Sequence, residues 1–133
     1  MNARTMSLSQ KGRHSKRPTL PNRFAEQVAQ SLEQQPGVNA RTHWQLGNEQ
    51  VVDGADFYLG DEEYGHLHLD GEAHVPLTVP LRNALVNSGR AHPFPWGQGW
   101  VVWPVRTQAD VKHALWLFDL RRRLLAGDAP SME

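Results

Sequence analysis

The chain contains no cysteine. Disulfides, thiolate metal sites and cysteine nucleophiles are therefore excluded, and any metal would have to be held by His, Asp or Glu. No apolar run approaches the roughly 20 residues that a membrane-spanning helix needs. There is no phosphate-cradling glycine-rich loop and no Gly-x-Ser-x-Gly elbow, which removes nucleotide-fold and serine-hydrolase chemistry. The acidic run Asp61-Glu62-Glu63 lacks the alternating Asp pattern of calcium loops and reads as a solvated loop. The first twenty residues hold no acid, and residues 48–72 hold no base.

Charge is present but segregated. Five basic residues (Arg4, Lys11, Arg13, Lys16, Arg17) occupy 1–20, and eight acidic residues occupy 48–72, within a formal net charge of zero. A balanced total argues against a dedicated nucleic-acid binder. With no leader-type apolar segment and no cysteine, the expected setting is cytoplasmic, with no membrane partner. The 133 residues suffice for one domain with a real core. Residues 1–18 read as a disordered basic tail, 19–127 as a single α+β domain, and 128–133 as a frayed end.

Periodicity supplies the elements. Phe24, Val28 and Leu32 recur at helical spacing, so a helix is expected from Pro21 to about Gln35, with Thr19 as its cap. Strands follow over 38–46, 51–59 (with a bulge or a turn at Asp53-Gly54), 64–69 and 72–79. Pro76 marks the fourth strand as edge-like or near its end and leaves a homodimer open. A short helix is expected over 80–87, then a Pro- and Gly-rich loop over 90–99, a strand over 100–105 and a long helix capped by Thr107 with Asp110 three residues on. The order α-β-β-β-β-α-β-α describes an antiparallel meander with helices on one face.

Glu63–Val75 carries three of the seven histidines around Asp70-Gly71. A two-residue turn would mix leucines with polar groups. A three-residue turn ending in Gly71 pairs His66 with His74 and places Leu67, Leu69, Ala73 and Val75 on one face. Only that register buries an apolar face, so a surface bearing His66, His68, Glu72 and His74 is expected. The spacing of His66 and His68 sets their Cβ atoms about 6–7 Å apart. They suit a pair of ligands to Zn²⁺, Fe²⁺ or Cu²⁺, with His74 or His92 third and Glu72 or Asp70 behind. Equally, they suit a metal-free pair taking a phenolic or enolic proton, or a merely hydrated polar face. Trp96 and His92 on the loop could close over a ligand. Trp44, Trp96 and Trp100 could line a pocket or simply pack, and Arg82 or Arg90 could receive an anionic group or pair with the acidic stretch.

The segments Ala55-Asp56-Phe57-Tyr58-Leu59, Gly65-His66-Leu67-His68, Gly89-Arg90-Ala91-His92-Pro93 and Gly99-Trp100-Val101, the last followed by a capped helix, resemble the luciferase-domain family named after the fungal luciferase. His66, His68, His92 and Trp100 match the shared pattern. The resemblance covers about residues 20–125. It implies a shared α+β fold and a pocket for a planar phenolic substrate oxidised with molecular oxygen. His66, His68 and His92 would be the catalytic candidates, and Trp96, Trp100, Arg90 and His74 would contact substrate. No cofactor is required on that reading, and a divalent metal at His66 and His68 stays open. The linker before the His-Pro loop differs in length from the fungal pattern, so shared fold rather than light emission is implied. The rival readings are a non-enzymatic interaction module and a histidine-based metal-binding protein.

Overall fold

The structure, a computed structural model, describes residues 2–128. Most of the expected frayed end at 128–133 lies outside the described residues. The elements are α1 (Arg23–Glu33), β1 (Val38–Gln45), β2 (Asn48–Leu59), β3 (Glu62–His68), β4 (Glu72–Pro76), α2 (Val79–Asn87), β5 (His92–Pro93), β6 (Trp100–Pro104) and α3 (Gln108–Leu125). The strands form one antiparallel sheet in the order β1-β2-β3-β4-β6-β5. The α+β meander with helices on one face is thus observed, extended by the two-residue β5. No helix among the described residues is long and apolar enough to cross a membrane.

The β3–β4 hairpin has the expected register. His66 pairs with His74 and Leu67 with Ala73. Gly71, at φ +93°, closes the turn by donating to the carbonyl of His68 at 3.0 Å, and Asp70 Oδ1 accepts from Glu72 N at 2.9 Å. Leu69 is a correction: it lies in the turn beyond β3 and is exposed rather than on the apolar face. The fourth strand is also not an edge. β4 lies between β3 and β6, and Pro76 is its last residue, where a missing donor costs the ladder least.

The core forms where the apolar sheet face meets the helices. Ala55, Phe57, Tyr64, Leu67, Ala73, Val75 and Val101 are fully buried with Val28, Leu32, Leu117 and Phe118. Phe118 meets Tyr64 edge-on, with ring centroids 5.3 Å apart. Asn22, not Thr19, caps α1. Its Oδ1 accepts from Phe24 N and Ala25 N, and its Nδ2 reaches Val105 O, so one amide fixes the helix start to the end of the sheet. Thr107 and Asp110 make the expected reciprocal cap on α3.

Two irregularities decide what the opposite face carries. In β2, His43 pairs with Gly54 but Trp44 with Val52, leaving Asp53 as the extra residue of a bulge. In β3, Phe57 pairs with Gly65 but Tyr58 with Glu63, so Tyr64 is extra. That second bulge buries Tyr64 among the helices and keeps the Glu63 carboxylate near His66 on the other side. The Arg121 guanidinium donates twice to the Glu63 carbonyl, at 3.0 and 2.8 Å.

The basic segment read as a disordered tail is instead laid against the sheet. Ser15 O accepts from Thr42 N, and Lys16 bridges Arg41 along the outer edge of β1. Met6 N donates to Glu63 Oε1, Arg17 binds Glu26 and Glu33, and Lys11 forms a buried ion pair with Asp56. The cause is the charge segregation: Lys11 finds its carboxylate 45 positions away, and Arg17 finds two on α1. Replacing Lys11 by methionine leaves the buried Asp56 carboxylate without its ammonium partner, beside His43, His66 and Tyr58. We expect a loss of about 2 kcal/mol, read as a lower urea midpoint; an unchanged midpoint would show that the pair contributes nothing.

Candidate functional site

Cross-strand partners point to the same side of a sheet, so the ladder places the site residues directly. One row runs Asp56, His66, His74, Val102, His92 across β2, β3, β4, β6 and β5. A second runs His43, Gly54, His68 across β1, β2 and β3. Gly54 contributes no side chain between its two neighbours, and the imidazoles of His43 and His68 meet with centroids 5.0 Å apart. His43 stacks on His66 at 4.4 Å with planes 10° apart, His66 lies 4.9 Å from His68, and His68 lies 4.1 Å from His74. Four histidines therefore form one cluster.

Carboxylates ring this cluster. Asp56 Oδ1 lies 2.7 Å from His43 Nδ1, Asp53 Oδ2 3.1 Å from His68 Nδ1, and Glu63 Oε2 3.5 Å from His66 Nδ1. Glu72 Oε1 sits 3.2 Å from His74 Nε2. Burial holds the imidazole of His66 well below its ordinary pKa, reinforced by His43, His74 and His68 around it. Burial also lowers His74, down to about 3, and lowers His68 against the pull of Asp53. At neutral pH these three are uncharged. Burial pushes the Glu63 carboxyl up to about 7.

The cluster forms part of the wall of a cavity of about 750 Å³. His43, His66, His68, His74, Asp53 and Glu72 line it together with Trp44, Val102, Pro104 and the loop residues Phe94 and Trp96. The sequence candidates His66, His68, His74 and His92 are thus brought to one space. His92 sits at the exposed rim, its ring stacked on Trp103 at 5.2 Å and 16°. Trp96 stands at the mouth, 86% exposed. Trp100 is buried under the cluster, 5.2 Å from His66, and its indole N–H donates to Arg4 O. It lines the adjoining depression rather than the cavity itself. Arg90 does not line the cavity; it lies past the end of α2, with its carbonyl bound to His113 Nε2. Arg82 pairs with neighbouring Asn83, not with the acidic stretch.

Sequence reasoning missed His43, Asp53, Asp56 and Phe94. His43 alternates with Arg41 and Gln45 on the polar side of β1, which was the one available signal. Its meeting with His66 depends on Asp53-Gly54 forming a bulge, the alternative the sequence left open against a turn. Residues 61–121 match the family model described as Luciferase domain. No curated protein and no solved structure matches the chain. The matched segment contains His66, His68, His74 and His92 but none of β1 or β2.

Proposed function

We propose that this chain, whose residues 61–121 match the Luciferase domain model, is a luciferase-domain protein that binds a small planar phenol or enol in the histidine-lined cavity. The observation that supports this most is the cavity itself: aromatic and proline side chains on one side, uncharged imidazoles backed by carboxylates on the other. Apolar walls with a few convergent polar groups suit a flat organic ring with one ionisable edge.

The chemistry follows from the protonation states. An uncharged imidazole accepts a hydrogen bond from a ligand O–H. If the proton transfers, a carboxylate on the ring's other nitrogen stabilises the imidazolium. His68, with Asp53 Oδ2 3.1 Å from its Nδ1, is placed for that role, while His66 and His74 form the floor under the ligand's polar edge. His92 and Trp96 stand at the rim, where they narrow the entrance. An enolate or phenolate so formed is the species that molecular oxygen would oxidise on the family reading.

The test is a screen of phenolic and enolic compounds by intrinsic fluorescence, with Trp44 and Trp96 as reporters. At least one compound should quench saturably. The double change His66→Ala with His68→Ala should weaken that compound by about tenfold or more. Equal quenching by the variant, or no saturable quenching by any compound, would defeat the reading.

A further inference from the structure

We propose that His43, His66 and His68 hold a divalent first-row transition-metal ion at the wall of the cavity. Each offers a ring nitrogen, and the three nitrogens lie within 4.8 Å of one another. A metal about 2.1 Å from each would draw them to about 3.4 Å apart, a closure that small ring rotations supply.

Three observations favour an ion here. Asp56 lies against Nδ1 of His43 and Asp53 against Nδ1 of His68. A carboxylate at that distance draws the ring proton toward the near nitrogen and favours the far one as a metal donor, although Asp53 Oδ2 also stands 3.7 Å from Nε2 of His43. His66 Nδ1 and His68 Nε2 are sealed from water and have no hydrogen-bond partner. Buried polar atoms left unpaired are costly, and a metal removes that cost for a coordinated nitrogen. Finally, the three rings come from β1 and β3, strands on either side of β2, so a paired sheet fixes their spacing.

A second trio, Asp56, Glu63 and His66, is also close enough to hold an ion. Lys11 already supplies a cation to Asp56, and Met6 N donates to Glu63 Oε1, so that trio is engaged. Nitrogen donors without thiolates select zinc, copper, nickel or ferrous iron over magnesium and calcium. All three histidines line the cavity, so a metal held by them lies within reach of its occupant. The site goes beyond the small-molecule reading and holds whether or not that reading does.

The experiment uses the full chain, stripped with a chelator and titrated with Zn²⁺ and with Co²⁺, with no organic ligand present. One ion per chain is expected, and Co²⁺ should give the intense visible bands of four- or five-coordination. His43→Gln, His66→Gln and His68→Gln should each abolish stoichiometric binding, while His113→Gln on α3 keeps it. Because buried changes can disturb folding, Asp53→Asn serves as the second variant. It leaves all three imidazoles in place and should weaken the metal about 10–100-fold. Absence of stoichiometric binding, binding that survives all three histidine changes, or a pale octahedral cobalt spectrum would overturn the proposal.

Discussion

Replacing Gly54 by alanine should be among the most damaging single changes in this chain. A Cβ built there would lie 2.0 Å from the Leu67 carbonyl oxygen and 2.9 Å from His68 Cα, both backbone atoms of the neighbouring strand. Flexible side chains can yield to a new methyl group, but a paired backbone cannot without parting β2 from β3. The residue also sits at φ +156°, outside the range that L side chains readily adopt. A loss of about 3 kcal/mol or more is expected, lowering the melting temperature by about 10 °C. Gly54 pairs with both His43 and His68, so the same change should disperse the histidine cluster and abolish ligand quenching in whatever fraction stays folded. An alanine variant melting within a degree or two of the parent would mean that the close approach of β2 to β3 is absent in solution.

Acidification should destabilise the metal-free protein between about pH 6.5 and 4.5. In the unfolded chain His66, His68 and His74 titrate near 6.5. Folded, all three are held lower by burial, His74 down to about 3. Below pH 6.5 the unfolded chain therefore binds protons that the folded chain refuses, and stability falls as pH falls. Glu63 works against this trend. Its folded carboxyl titrates near 7 while its ordinary value is 4.5, so in the same window the folded chain holds one extra proton. His66 and His74 against Glu63 leave a net of at least about one proton, or about 1.4 kcal/mol per pH unit, and His68 adds to it in the same direction. A domain with about 5–15 kcal/mol in hand would lose part of it within the window. Urea midpoints at pH 7.5, 6 and 5 measure the slope, and His74→Gln should reduce it by half or more. Equal midpoints at pH 7.5 and 5 would show that the imidazoles are hydrated rather than buried.

What the sequence revealed depended on whether local chemistry fixed the answer. The β3–β4 register was readable because Gly71 supplies the positive φ that the turn needs and only one pairing buries Leu67 with Ala73 and Val75. The α3 cap was readable from Thr107 and Asp110, two residues that satisfy one another. Asn22 displaced Thr19 as the α1 cap because its amide also reaches Val105, a contact across the fold. Asp53-Gly54 read as a bulge or a turn and is a bulge; the bulge at Tyr64 was not readable, since an extra residue leaves no mark on alternation, and His43's place in the site went unseen with the register. β5 was hidden in a Pro- and Gly-rich loop, where two residues pair without any pattern. The docking of residues 2–18 was equally hidden, because its partners are carboxylates supplied by distant strands. The His66, His68, His74 group was legible; the carboxylates Asp53 and Asp56 and the fourth imidazole were not.

The β1–β2 ribbon precedes the matched segment, yet it supplies His43, Asp53 and Asp56. Chains alike over that segment can therefore differ in chemistry according to what their preceding hairpin brings. A carboxylate traded for an amide, or an imidazole for an alkyl group, would retune the floor while the recognisable half of the molecule stayed the same. Reactivity in such a lineage would diversify from the upstream ribbon inward.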